Sequence, residues 1–239
     1  MGIESFWGST LDGILRRSPS MSDAARHRTA GWMRLSADKA STRLADACFV
    51  VVDTETSGLD TRKDTLLSIG ACVVSGGRVH IARDFYREIR QDHVSDRDNI
   101  LLHGIGGEAQ LAGEQQAEAL SSFLEFAGKH PLVAFNASFD HQFLAAAMRK
   151  YLGARFRPQW VDLALLPKAM FPADAAGRHT LDDWLERFSI VLLERHNALA
   201  DAYCTAQLLL VMLDKAGREG YSNVRGLLRA QRNYHWQRR

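Results

Sequence analysis

The chain has 239 residues, 46% of them hydrophobic and 24% charged, with a formal net charge of +2, which suits a globular protein with a sizeable core rather than a disordered or fibrous one. No apolar run approaches the roughly 20 residues of a membrane-spanning helix, and the start, MGIESFWGSTLDGILRR, lacks the basic-then-apolar pattern of a secretory signal. Cys48, Cys72 and Cys204 are odd in number and far apart, which argues against a disulfide framework or a cysteine zinc site, so a soluble, cytoplasmic protein is expected.

Charge is unevenly spread. Residues 1–43 carry seven Lys/Arg and four Asp/Glu, residues 44–217 carry 17 and 23, and residues 218–239 carry six and one. Basic ends around an acidic centre suit an enzyme that gathers cations centrally and meets polyanions at its edges, although solvated terminal arginines give the same pattern.

In chain order, residues 1–45 read as an appendage, broken at Ser18-Pro19-Ser20, with a helix from Asp23 to Leu35 carrying Trp32 and Met33. Phe49-Val50-Val51-Val52 is a continuous apolar run, as expected of a strand buried on both faces. Leu66–Val74 and Val79–Phe85 read as further strands around the turn Ser75-Gly76-Gly77. A helix is predicted from Glu114 to Lys129, a short strand over Leu132–Phe135, and a helix to Tyr151 with Ser138 as its N-cap. A strand over Trp160–Leu163 follows. Thr180 then caps a helix with Leu181, Trp184 and Leu185 on one face, and Asn197 caps a long helix to Ala216. The sum is an α/β fold, a mixed central sheet flanked by helices. The expected organisation is an appendage over 1–45, a central domain over 46–217, and a basic helix and tail over 218–239.

Four acids occupy places where the pattern predicts burial. Asp53 and Glu55 end the Phe49–Val52 strand, and at i and i+2 they share a face, roughly 6.6 Å apart along the backbone. Read alone, such a pair is more often a solvated strand terminus. Asp140 heads a helical stripe with Phe143, Leu144 and Ala147, and Asp201 heads another with Cys204, Leu208 and Val211. A charge at the end of a buried stripe has to be paired or hold a metal. Hard oxygen donors without a cysteine or histidine cluster favour Mg²⁺ or Mn²⁺ over Zn²⁺. His196 stands beside the capping Asn197, placed to reach over the helix end, where a histidine can accept a proton from an activated water. His141 follows Asp140 and is expected to face elsewhere.

These residues carry a resemblance. Val52-Asp53-Thr54-Glu55-Thr56-Ser57-Gly58-Leu59, Asn136-Ala137-Ser138-Phe139-Asp140 with Phe143-Leu144, and His196-Asn197-Ala198-Leu199-Ala200-Asp201-Ala202 resemble, in order, the three motifs of the DEDDh (DnaQ-like) 3′–5′ exonuclease family. That family includes the proofreading epsilon subunit of bacterial DNA polymerase III. The resemblance covers about residues 47–215. It implies a ribonuclease H-like fold and release of nucleoside monophosphates from a 3′ end. It also implies two divalent cations, Mg²⁺ or Mn²⁺, on Asp53, Glu55, Asp140 and Asp201, and His196 as general base. Asp98 with His103-Gly104-Ile105 resembles the segment that holds the terminal nucleotide in epsilon-like enzymes. Phe135 stands where many relatives have histidine, which bears on substrate fit rather than on the acids. The 45 leading residues and short basic tail point to a stand-alone epsilon-like enzyme, with DNA polymerase association left open.

Single-stranded DNA is the expected substrate. RNA or short oligoribonucleotides are the alternative. A non-catalytic nucleic-acid-binding module would be expected to lack at least one of the five residues, and all five are present. In the tail, Tyr221, Tyr234 and Trp236 alternate with Arg225, Arg229, Arg232, Arg238 and Arg239. This pattern fits either a single-strand contact or a helix packing Val224, Leu227 and Leu228 on the domain.

Overall fold

A computed structural model describes residues 21–191 and 196–236. The Ser18-Pro19-Ser20 break, Arg238 and Arg239 lie outside the described residues, as does the side chain of Trp236. The sheet has five strands: β1 (Cys48–Thr56), β2 (Leu66–Ser75), β3 (Arg78–Glu88), β4 (Leu132–Ala134) and β5 (Trp160–Asp162). Their order is β3-β2-β1-β4-β5. β2 runs antiparallel to β1 and β3, while β1, β4 and β5 are parallel.

Alternation along β1 divides the core into two. Val50 and Val52 face one cluster, and Phe49 and Val51 face the other. The first cluster is covered by α1 (Asp23–Arg34), α4 (Gln116–Ala127) and α5 (Ala137–Ala147). The second is covered by α6 (Leu166–Met170), α7 (Leu181–Arg187), α8 (Ala198–Arg218) and α9 (Val224–Trp236). Two short helices, α2 (Arg97–His103) and α3 (Gly107–Ala112), fill the connection from β3 to α4. This is the expected α/β architecture, a mixed sheet with helices on both faces, as in ribonuclease H-like folds. Among the described residues, no helix is long and apolar enough to cross a membrane.

Most caps act as expected. Thr180 and Asp183 form a reciprocal capping box on α7. The Asn197 side chain accepts from the N–H groups of Leu199 and Ala200 at the head of α8. One expectation is corrected: α5 is capped by Asn136, whose φ of 63° lies in the left-handed region, and not by Ser138. Asparagine tolerates that conformation, so the chain can turn sharply out of β4 and start the helix two residues earlier. Ser138 lies inside the first turn, its hydroxyl donating to Asn136 Oδ1 (3.2 Å). The α-helix also stops at Ala147 and widens into a π-type turn over Met148–Leu152 rather than running on to Tyr151.

The appendage is docked. Trp32 of α1 is buried, with its indole N–H on the Gly128 carbonyl, its ring near Phe156, and Lys129 Nζ 3.0 Å from its centroid.

Candidate active site

The parallel strands β1, β4 and β5 end at one edge of the sheet, the edge where ligands gather in open α/β structures. Asp53 and Glu55 lie at the end of β1, on the face covered by α8. Opposite Asp53 in the antiparallel pair stands Gly70. A Cβ on Gly70 would lie 2.2 Å from Ala198 C and Leu199 N, so the first turn of α8 rests directly on the strand backbone. That close approach brings Asp201 to the strand end. One carboxylate oxygen from each of Asp53, Glu55 and Asp201 lies within 4.8 Å of the others.

Asp140 reaches the same strand end from the other face. Thr54 alternates with Asp53 and Glu55, is buried, and donates from Oγ1 to Asp140 Oδ1 (2.9 Å). Asp140 is itself buried, and this burial, with Asp162 nearby, pushes its carboxyl above the usual carboxylate range against the pull of the Thr54 hydrogen bond. The convergent set among the described residues is thus Asp53, Glu55 and Asp201, with Asp140 tied to it through Thr54.

His196 has a φ of 58°, and its backbone N–H donates to Asp201 Oδ2 (3.0 Å). The loop histidine is thereby fastened to the acid that heads the following helix. His103, at the end of α2, is buried. Its Nδ1 accepts from the Ile105 N–H (3.0 Å), and its Nε2 is buried with no hydrogen-bond partner. Burial holds its pKa below the ordinary histidine value, and the nearby His196 adds to this. Asp98 is exposed in the first turn of α2. Five residues apart, Asp98 and His103 stand roughly 140° apart around the helix and do not share a face. His141 points away as expected, its Nδ1 accepting from Trp160 Nε1 (3.1 Å).

Three residues of this edge escaped the sequence reading: Thr54, Gly70 and Asp162. Asp162 ends β5 as Asp53 lies near the end of β1; its Oδ1 accepts from the backbone N–H groups of Asn136 (3.1 Å) and Ala164 (2.8 Å), and burial raises its pKa. The signal was an acid ending a short apolar strand, the same that marked Asp53.

Carboxylate oxygens gathered this closely repel one another unless a cation lies among them, and hard oxygen donors fit Mg²⁺ or Mn²⁺. The arrangement therefore fits the metal set that the resemblance implies.

Comparison with known proteins agrees. The RNase T family model, described as an exonuclease, matches residues 50–209. The PolC-type DNA polymerase III of Thermotoga maritima is 30% identical over 179 residues, covering 75% of this chain but 13% of that protein. This chain thus spans only a small part of such relatives. Among solved structures, E. coli exonuclease I in complex with a dT13 oligonucleotide has a TM-score of 0.62 at 17% identity, over 72% of this chain and 42% of that one. Exonuclease X in complex with 5′-overhanging duplex DNA has a TM-score of 0.56 at 21% identity, over 71% and 93%. At such identities the structures speak to the fold, whereas the family model takes in most of the chain: it belongs to the DEDDh, DnaQ-like exonuclease family.

Proposed function

We propose that this protein is a metal-dependent 3′–5′ exonuclease that releases nucleoside monophosphates from single-stranded DNA, using two divalent cations and a histidine base. The observation that carries the reading is the convergence of Asp53, Glu55 and Asp201 within 4.8 Å at the C-terminal edge of the parallel strands. Asp53, Glu55 and Asp201 would hold Mg²⁺ or Mn²⁺, with Asp140 completing the set from the opposite face of β1. When bound, such cations stabilise the attacking and leaving oxygens of an in-line displacement.

The remaining work falls to the chain itself. Water attacks the terminal phosphorus, the bond to the 3′ oxygen of the preceding nucleotide breaks, and a nucleoside monophosphate leaves a strand one residue shorter. His196 accepts the proton of the attacking water. His103, on the helix beside this edge, receives the terminal nucleotide, whereas Asp98, on a different face of that helix, does not share the contact. The exonuclease unit spans residues 46–217, and α9 with the tail extends it. DNA rather than RNA is favoured by the Thr54-Glu55-Thr56-Ser57-Gly58 wording and by the DNA that the named exonuclease structures hold.

The test is degradation of matched DNA and RNA oligonucleotides, labelled internally and at either end. Stepwise loss of mononucleotides from the DNA 3′ end is expected with Mg²⁺ or Mn²⁺, with none in EDTA and recovery when metal is restored. Full activity in chelator overturns the metal assignment, and faster RNA degradation transfers the substrate to RNA.

A further inference from the structure

The helix that carries Asp140 begins without a cap of its own. Asn136 makes no side-chain hydrogen bond to the first turn of α5, and its Oδ1 is taken by the Ser138 hydroxyl. Its backbone, with φ 63° and ψ 51°, is in a conformation that persists only where the surroundings hold it. The N–H groups at a helix start also lack partners within the helix. The hold comes from another element. In the parallel register of β4 and β5, Ala134 stands opposite Asp162, which places the last residue of β5 beside the chain two residues before Asn136. From there Asp162 Oδ1 accepts from the Asn136 N–H (3.1 Å) and also from the Ala164 N–H (2.8 Å).

Asp162 is fixed in its turn. Its own N–H donates to Gln231 Oε1 of α9 (3.0 Å), and its carbonyl accepts from the Leu165 N–H (3.2 Å). The Leu163 N–H donates to the Ala134 carbonyl (2.9 Å), so the pairing with β4 continues past the end of β5. The carboxylate therefore sits on a rigid arm. Asp140 follows Asn136 by four residues, about one helical turn, and on its other side Thr54 ties it to β1. A shift of the α5 head is passed directly to that acid. Asp162 lies outside the convergent set of Asp53, Glu55 and Asp201, and its Oδ1 is already shared by two N–H groups, which suits it to holding rather than ligating. Groups that orient metal ligands without touching the metal matter nearly as much as the ligands do.

We propose that Asp162 is a positioning residue for the metal site: it caps the head of α5 from the neighbouring strand and so sets where Asp140 meets the other three acids. This builds on the reading of that edge as a metal-dependent nuclease site.

The experiment compares the full-length protein with Asp162→Ala, Asp162→Asn and Asp162→Glu. Mn²⁺ binding is measured by calorimetry, amide hydrogen exchange is followed over the first turns of α5 without metal, and kcat and KM are taken on a single-stranded DNA oligonucleotide. Circular dichroism melts confirm that each variant is folded. Asp162→Ala is expected to speed exchange at the α5 head and to weaken Mn²⁺ binding about ten-fold or more. Its kcat is expected to fall about 10²-fold, with KM nearly unchanged. Asp162→Asn keeps an acceptor oxygen in place and gives up only the charge at the helix start, so it is expected to stay within about three-fold of wild type. A folded Asp162→Ala protein with wild-type Mn²⁺ affinity overturns the proposal. So does an Asp162→Asn protein as impaired as Asp162→Ala, because the charge and not the cap then matters. If Asp162→Ala does not fold, Asp162→Glu decides: it keeps the charge but displaces the acceptor by one methylene, and wild-type Mn²⁺ affinity in that variant overturns the proposal. A wild-type protein that binds no Mn²⁺ and leaves DNA intact removes the nuclease reading instead, and unchanged hydrogen exchange in Asp162→Ala removes the cap independently of any activity.

Discussion

His196 meets Asp201 through its main chain: the N–H, and not the imidazole, donates to the carboxylate. His196→Ala keeps that contact at a small backbone cost, since histidine is favoured over alanine at a φ of 58°. Turnover is therefore expected to fall about 10²–10⁴-fold while oligonucleotide and metal binding persist, the loss belonging to the proton transfer. Single-turnover cleavage alongside equilibrium binding separates the two, and a variant that retains most of its turnover places the base elsewhere. At this scale the sequence was readable where a period marks a side chain's face. The i, i+2 spacing of Asp53 and Glu55 and the stripe below Asp201 placed three acids correctly on their elements. Period alone does not show that Thr54, on the opposite face, ties Asp140 to the strand. Nor does it show that His103 turns inward while Asp98 stays in solvent, because a seven-residue helix has too few turns to display a face.

The elements meet through one glycine. Gly70 lets the first turn of α8 lie on β2 opposite Asp53, and no side chain fits between them. Gly70→Ala forces the helix head away from the sheet and carries Asp201 with it. Misplacements of about 1 Å can cost 10²-fold in rate, so a loss of that order, accompanied by a lower Tm, is expected. Turnover assays and thermal melts check it, and a variant with wild-type turnover refutes the positioning role. The strands were legible because β1 is apolar on both faces, and α7 and α8 because Thr180 and Asn197 are side-chain caps. α2 and α3 were not, for physical reasons: neither has a side-chain cap, and α2 exposes Leu101 and Leu102, so no amphipathic stripe announces it. Asn136 misled because its left-handed backbone begins the helix where a conventional reading places a loop.

Across the whole molecule, α9 lies beyond the residues matched by the exonuclease family model and runs from the appendage toward the acidic edge. Near its start, the Val224 and Arg225 N–H groups donate to the carbonyls of Thr42 and Ala40. Near its end, Gln231 donates to the Trp160 carbonyl and accepts from the Asp162 N–H, both at 3.0 Å, covering the free edge of β5. Val224 and Leu227 are buried against the second core cluster, so the helix is packed; the same packing leaves Arg225, Arg229 and Arg232 exposed on one side, at i, i+4 and i+7. The packing and contact readings of this segment are therefore compatible. Helical spacing stretches the three guanidinium groups over about 10 Å, directed at the edge where Asp162 stands. If a single strand follows this face to the site, each neutralised phosphate contributes about 0.7 to the slope of log K against log salt. Replacing all three arginines with glutamine is then expected to weaken binding of a long oligonucleotide and reduce that slope by up to about 2, while turnover of a dinucleotide, too short to reach the helix, stays at the wild-type level. Titrations at several salt concentrations measure this directly, and an unchanged slope assigns the arginines to solvent alone.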